Sequence, residues 1–298
     1  MHVGTSAPSI AESLSYTLGS RFDERSRRAL SGGSINKAFR YRSAKESVFV
    51  KVSDSADALE MFQAEAAGLR ALASAQAVRV PHVIGQGRCT EGAYLALEWI
   101  AFGKPSRSTE ATLGEQLAWQ HRCTHAQFGW ERDNTIGSTP QRNARCEEWV
   151  AFFRERRLRF QLELAAQGGA DAALVERGFR LCERLPEFFA AYRPVPSLLH
   201  GDLWGGNWAC DEDGLPVVFD PAVYYGDREA DIAMTRLFGG FSQAFYTTYN
   251  STWPLDPGAG VRTPLYNLYH VLNHFNLFGG GYLSQARAMI EASLAEVE

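Results

Sequence analysis

The alternation of apolar and polar positions changes character about a third of the way along the chain. Ile10 to Leu18 reads as a short helix. Alternation around Phe39-Arg40-Tyr41 and the apolar run Val48-Phe49-Val50 then predict strands, with Ser31 to Asn36 as the turn between the first two. Ala58 to Ala75 is rich in helix formers and puts Leu59, Phe62, Ala66, Leu69 and Leu72 on one stripe. The segments "VRVPHVIGQG" and "AYLALEWI" predict two further strands. From about Phe102 the pattern is mainly helical, in "TLGEQLAWQHRCTH", "CEEWVAFFRERRLRFQLELAAQ", "ALVERGFRLCERLPEFFAAY" and "PLYNLYHVLNHFNLFGGGY". Two short strands interrupt it between Ser197 and Ala222. The pattern predicts an α+β chain of two lobes. Residues 1–101 form a small lobe with a sheet and one main helix, and residues 102–298 a larger, mainly helical lobe, linked near Glu98 to Gly103.

Composition narrows the class. The 298 residues carry a net charge of −4, so no basic face for nucleic acid is expected. No run approaches the roughly 20 apolar residues of a membrane span, and the N-terminus lacks the basic start and continuous apolar stretch of a signal peptide. The five cysteines are scattered without a CxxC pair, which argues against a disulfide framework or zinc ribbon and fits a reducing cytoplasm.

The stretch "SLLHGDLWGGNWACDEDGLPVVFDPA" carries the densest chemistry. It holds Asp202 in a His-x-Asp, Asn207 five residues later, and Asp220 at the end of an apolar run. Phosphoryl transfer from a nucleotide rests on positioning and charge neutralisation: a carboxylate near the acceptor hydroxyl and hard oxygen ligands for Mg²⁺. Asp202 and Asn207 have the offset of the kinase catalytic loop, and Asp220 would face the same cleft as a second metal ligand. Alone, each aspartate would more often be a turn residue at a strand end; three such residues at this spacing favour function.

Lys51 stands inside the apolar strand "VFVKVS", where an unpaired charge is costly. Glu65 in the following helix is its candidate partner; the bland alternative is a lysine that reaches solvent from a strand edge. Gly32, Gly33, Ser34 and Asn36, in "SGGSINKAF", form a glycine turn whose backbone N–H groups could cover phosphates, although a plain hairpin would look the same. His121/His125 and His270/His274 have i,i+4 spacing but no H-E-x-x-H arrangement and no evident third ligand, so zinc is disfavoured.

With these residues in place, the chain resembles the fructosamine kinase (ketosamine kinase) family, a branch of the protein-kinase-like fold near the aminoglycoside phosphotransferases. "GGSINKAFRY", "FVKV" with Glu65, "NTIGSTPQRN", "WVAFFRERRLRFQLELA", "HGDLWGGN", "VVFDPAVYYGDREADIAM", "LFGGFSQAFYTTY" and "LYNLYHVLNHFNLFGGGY" carry the likeness. It spans nearly the whole chain. The resemblance implies a bilobal protein-kinase-like fold with an antiparallel sheet in the small lobe. It also implies ATP-dependent phosphorylation of the sugar 3-hydroxyl of fructosamines, ribulosamines or erythrulosamines, free or protein-bound, followed by breakdown of the adduct. By the same likeness Asp202 is the catalytic base, Asn207 and Asp220 hold Mg²⁺, and Lys51 meets the α- and β-phosphates of ATP. The backbone of Glu98 to Ile100 meets adenine, and Trp204 and His274 line the sugar pocket. Some relatives carry a cysteine in the nucleotide loop that acts as a redox switch; Ser34 stands in the corresponding loop here.

Three rivals stand beside this reading. A protein kinase would require an activation loop, whereas "DPAVYYGDREADIAM" runs almost directly into a helix with Asp227 as a plausible N-cap. A kinase for an aminoglycoside, choline or homoserine shares the core residues. A chain that only binds nucleotide is disfavoured because Lys51, Glu65, Asp202, Asn207 and Asp220 are all present.

Overall fold

The structure, a computed structural model, describes residues 7–31 and 36–297. The small lobe is a five-stranded sheet of β1 (Arg28–Leu30), β2 (Lys37–Arg42), β3 (Ser47–Ser53), β4 (Val83–Cys89) and β5 (Gly92–Glu98). Its order is β1-β2-β3-β5-β4, with every neighbouring pair antiparallel. Strand alternation divides β3 between two environments. Val48, Val50 and Val52 pack with Tyr41, Tyr94 and Ala96 under α1 (Ile10–Leu18), which contributes Ile10 and Leu14. Phe49 and Lys51 point to the opposite face. There α2 (Ala58–Ser74) lays Phe62, Ala66, Leu69 and Leu72 against Leu95 and Leu97. Of the expected stripe on α2, Leu59 is only partly buried and packs at its margin. A capping box starts α1: the Glu12 N–H donates to Ser9 Oγ (3.2 Å) and the Ser9 N–H to the Glu12 carboxylate (2.8 Å).

The larger lobe is mainly helical. It contains α3 (Arg107–His121), the hairpin β6 (Asn134–Ile136) and β7 (Thr139–Gln141), and α4 (Trp149–Phe153). A π-helical turn, Arg154–Leu158, leads from α4 into α5 (Arg159–Gln167), followed by α6 (Ala172–Phe188). Four short strands come next: β8 (Ser197–Leu199), β9 (Trp208–Cys210), β10 (Pro216–Val218) and β11 (Tyr224–Gly226). The chain ends with α7 (Glu229–Leu237), α8 (Gln243–Thr252), α9 (Ala259–Phe278) and α10 (Tyr282–Ala295).

Several boundaries differ from the sequence pattern for local reasons. Helix α3 starts before Thr112 because Ser106 caps it, accepting the Thr109 N–H at 3.1 Å. Helix α9 starts at Ala259 and runs through Pro264; the proline sacrifices one backbone bond near the helix start, and packing holds the rest. Helix α8, "QAFYTTYNST", has weak intrinsic propensity. It forms against α3, where Gly114 allows such close approach that an added Cβ would lie 2.3 Å from the Phe245 carbonyl oxygen. Helix α10 does carry a legible stripe of Ala286, Ile290 and Leu294 that the pattern above left unassigned.

Polar contacts tie the lobes together. Arg79, between α2 and β4, pairs with Glu98 at 2.8 Å and also with Asp211, while its carbonyl accepts the Val218 N–H at 2.9 Å. Gly103 N–H donates to the Cys210 carbonyl at 2.9 Å. No helix among the described residues is long and apolar enough to cross a membrane.

Gly114→Ala forces α3 and α8 apart or distorts the Phe245 backbone. It is expected to destabilise the protein by about 1–3 kcal/mol, the usual scale of overpacking. Urea unfolding is the measurement, and an unchanged midpoint would show that the helices can separate freely.

Candidate active site

Strand β3 delivers Lys51 to the crevice, 8% exposed and beside Leu95 on the neighbouring strand. An ammonium there requires counter-charges. Glu65 supplies one from α2, with Lys51 Nζ to Glu65 Oε1 at 2.7 Å. The second comes from the other lobe: Asp220 Oδ1, also 2.7 Å away. Desolvation works against the Lys51 charge, but the charges of Asp220 and Glu65 outweigh it and hold its pKa above the ordinary lysine value. Asp220 itself is half-exposed and sits at φ +56°, a left-handed conformation uncommon outside glycine but tolerated by aspartate better than by most residues.

Asp202 and Asn207 form the opposite wall. Asn207 Nδ2 donates to the Asp202 carbonyl (2.8 Å) and to Asp202 Oδ2 (3.0 Å). Desolvation, and then the nearby Asp220 charge, push the Asp202 carboxyl well above its usual range; the Asn207 hydrogen bond opposes them. The loop that carries Asp202 is anchored from behind by a residue the sequence reading did not single out. Asp231 on α7, 2% exposed, accepts the backbone N–H groups of His200 (2.7 Å) and Gly201 (2.8 Å). Burial acts to raise the Asp231 carboxyl, yet its hydrogen bonds, His121 foremost, leave it below the usual range. Gly201 has φ +84°, and an added Cβ would fall 2.0 Å from the Ala222 carbonyl oxygen. Ala222 N–H donates in turn to the His200 carbonyl at 2.9 Å. The turn after Asp220 therefore packs directly on the Asp202 loop.

Five of the expected side chains thus meet, in two directly bonded groups: Lys51 with Glu65 and Asp220, and Asp202 with Asn207. The donor set suits a hard divalent cation. Asn207 commits its amide nitrogen to Asp202, and neither its oxygen nor Asp220 Oδ2 has a hydrogen-bond partner among the described residues.

Trp204 and His274 join one aromatic cluster through Phe238, which lies 6.4 Å from the Trp204 ring, edge-on, and 4.5 Å from His274. Tyr282 stands 5.2 Å from His274 on another side. Neither Phe238 nor Tyr282 has a spacing signal of its own. Glu98 ends β5, and its carboxylate is held by Arg79 and by the His82 N–H at 3.1 Å. Ile100 is half-buried in the connecting segment that follows. Gly32, Gly33 and Ser34 lie outside the described residues. Asn36 is half-buried, with its Oδ1 unpaired among the described residues. A cavity of about 630 Å³ lined by Arg40, Arg42, Lys45, His82 and Trp99 opens at the β2–β3 turn, away from the Lys51 end of the sheet.

The histidine pairs do not converge on a common point. His121 spends its ring nitrogens on Asp231 (3.1 Å) and Tyr249 (2.8 Å), whereas His125 lies against Tyr225. His270 is buried in α9, and His274 bonds back to the His270 carbonyl at 2.8 Å. The N-cap position of α7 is Arg228 rather than the expected Asp227, which lies one residue earlier, accepts the Glu229 N–H at 3.1 Å and also receives the Tyr192 and Tyr266 hydroxyls.

The sequence profile of the fructosamine kinase family matches residues 6–296. A protein from Synechocystis named a probable ketoamine kinase is 45% identical over 99% of both chains. A chloroplastic protein-ribulosamine 3-kinase from Arabidopsis thaliana is 43% identical over 88% of this chain and 81% of its own. Among solved structures, one from Thermobifida fusca named for fructosamine-3-kinase superposes with a TM-score of 0.86 at 30% identity, covering 96% of this chain and 99% of that one.

Burial lowers the pKa of His121, His200 and His270, the last to about 3. The unfolded chain takes up these protons near pH 6.5 and the folded chain does not, so stability is lost as pH falls below that value. The His270 contribution declines by about 1.4 kcal/mol per pH unit. His270→Asn should therefore show a smaller loss of unfolding free energy between pH 7 and pH 5 than the unsubstituted protein. Comparing the two cancels carboxylates such as Asp202, whose raised values act in the opposite sense. Equal slopes would place His270 in contact with solvent.

Proposed function

The chain belongs to the fructosamine kinase family, and from that premise we propose that it transfers the γ-phosphoryl group of ATP to the sugar 3-hydroxyl of a ketosamine. It is an ATP-dependent phosphotransferase with an alcohol group as acceptor. The observation that carries the site assignment is the Lys51 ammonium bonded at once to Glu65 and Asp220.

In this reading Asp202 takes the proton of the attacking hydroxyl while the new O–P bond forms and the bond to the β-phosphate oxygen breaks, releasing ADP. The raised pKa suits the role, since a base works best when its pKa approaches the working pH. Asn207 Nδ2 fixes the rotation of that carboxylate. Lys51 has three N–H donors, two of them engaged by Glu65 and Asp220; the third is available to the α- and β-phosphates. Asn207 Oδ1 and Asp220 would hold Mg²⁺. When bound, that ion would offset the negative charge of the phosphates. The backbone from Glu98 to Ile100 meets adenine, with the lobes dividing at residues 101 and 102. Trp204 and His274, joined by Phe238, receive the sugar, whose C–H surface suits aromatic faces.

The phosphate of the product lies next to the ketone carbon and is a good leaving group, so the adduct breaks down and frees the amine. The acceptor is a ribulosamine, erythrulosamine or fructosamine, carried on a small amine or a protein. The five cysteines are free thiols, consistent with action in the cytoplasm.

ADP release across a panel of ribulosamine, fructosamine, choline and an aminoglycoside tests the acceptor class. Turnover confined to the ketosamines is the expected result, and turnover of choline or the aminoglycoside alone would overturn it. Asp202→Asn should retain ATP binding and lose about 10²–10⁴-fold in kcat, the usual worth of a general base. A variant turning over at the normal rate would remove Asp202 from that role.

A further inference from the structure

Arg157 is a fully buried charge. It is 0% exposed and has no carboxylate partner among the described residues. Its guanidinium is accommodated by neutral groups alone. Nη1 donates to the carbonyls of Arg142 (2.6 Å) and Arg156 (3.2 Å), and Nη2 donates to Asn143 Oδ1 (2.7 Å). The ring centres of Tyr224 and Phe152 lie 4.2 and 4.7 Å from it. Its Nε is buried without a partner. Arg157 also falls within the π-helical turn Arg154–Leu158, an irregularity that often marks functional positions. Apolar residues commonly replace buried charges without loss of stability, so stability alone does not account for it.

The hydrogen bonds leading away from Arg157 do. A guanidinium can only donate, so it forces the Asn143 amide to turn its oxygen inward and its nitrogen outward. Asn143 Nδ2 then donates to Asn134 Oδ1 at 2.8 Å. That fixes the Asn134 amide the same way round, and Asn134 Nδ2 donates to the Val223 carbonyl at 2.9 Å. Gln141 Nε2 donates both to Asn134 Oδ1 (2.8 Å) and to the Ala222 carbonyl (3.1 Å), with its own oxygen taken by the Tyr269 hydroxyl at 2.8 Å. Arg157 thus fixes the direction of these amides from one end, and the acceptor-only carbonyls of Ala222 and Val223 require the same direction at the other. The far end is the pair of carbonyls two and three residues past Asp220, which itself has a left-handed backbone.

We propose that Arg157 is a positioning residue for the phosphoryl-transfer site: its donor-only charge orients the Asn143–Asn134–Gln141 amides so that they clamp Ala222 and Val223 and thereby set Asp220. The proposal rests on the reading of Asp220 as a metal ligand. Asn143→Asp is the sharpest probe. The introduced carboxylate still accepts from Arg157, and gives it a counter-charge, but cannot donate to Asn134, so the link between Arg157 and the amides that hold Ala222 and Val223 is broken.

The readout is the Mg²⁺ concentration for half-maximal binding of AMP-PNP, measured by calorimetry, together with metal-free AMP-PNP binding and the thermal midpoint of each variant. Partners behind a metal ligand commonly contribute 10–100-fold to metal affinity. The Mg²⁺ midpoint is therefore expected to rise by about tenfold in Asn143→Asp and in Arg157→Met, with metal-free nucleotide binding unchanged. Arg157→Lys keeps the charge but not the fork, and should fall between Arg157→Met and the unsubstituted protein. Should Arg157→Met fail to fold, Asn143→Asp decides alone. A folded Asn143→Asp with an unshifted Mg²⁺ midpoint overturns the relay, provided Asp220→Ala does shift it. An unshifted midpoint in Asp220→Ala instead overturns the metal role of Asp220, and the relay's purpose with it.

Discussion

A buried lysine ammonium demands counter-charges within reach, and the geometry of this protein is arranged around how that demand is met. Lys51 reaches Glu65 within its own lobe and Asp220 from a segment 169 residues further along the chain. The two ion pairs join β3, α2 and the turn after β10 at a single nitrogen. Breaking a buried pair by removing one partner typically costs about 3–5 kcal/mol, more than most surface interactions contribute, and the half-exposure of Asp220 places its share below that range. In the proposed reading the same contact holds the Lys51 ammonium where a triphosphate would bind, so the demands of folding and of binding would coincide at Lys51.

Around that contact the site is held through its backbone. Asp231 fixes the amides of His200 and Gly201, the Ala222 N–H closes on the His200 carbonyl, and the Asn134 and Gln141 amides hold the carbonyls of Ala222 and Val223. Each bond to a charged group contributes about 1.5–3 kcal/mol, and leaving one of these buried groups unpaired costs a comparable amount. Misplacing the loop therefore breaks several bonds together. That cooperativity is how an aspartate keeps a left-handed backbone and how Gly201 tolerates a carbonyl where any side chain would begin.

The helix and strand pattern was legible wherever burial is one-sided. The alternation of β3, the stripe of α2 and the Asp202-Asn207-Asp220 spacing needed no coordinates. Helix α8 was not legible, because its threonines and aromatic residues have weak helix propensity and its packing partner, Gly114 on α3, is distant in sequence. Asp231 and Arg157 escaped for a related reason. Their roles reside in which backbone atoms they meet, and no spacing rule encodes that.

Residue types and periodicity alone pointed to the class of fold and made Glu65 the candidate partner of Lys51, because both are written in local spacing, while the likeness of whole motifs pointed to the family. Only the tertiary structure decided that Asp220 shares the nitrogen of Lys51, that Phe238 couples Trp204 to His274, and that the buried Arg157 guanidinium stands at one end of a chain of amides. Those relations depend on distances between segments far apart along the chain, and on which atom of each polar group is free to donate. Such facts come into being only when the core closes and water is excluded.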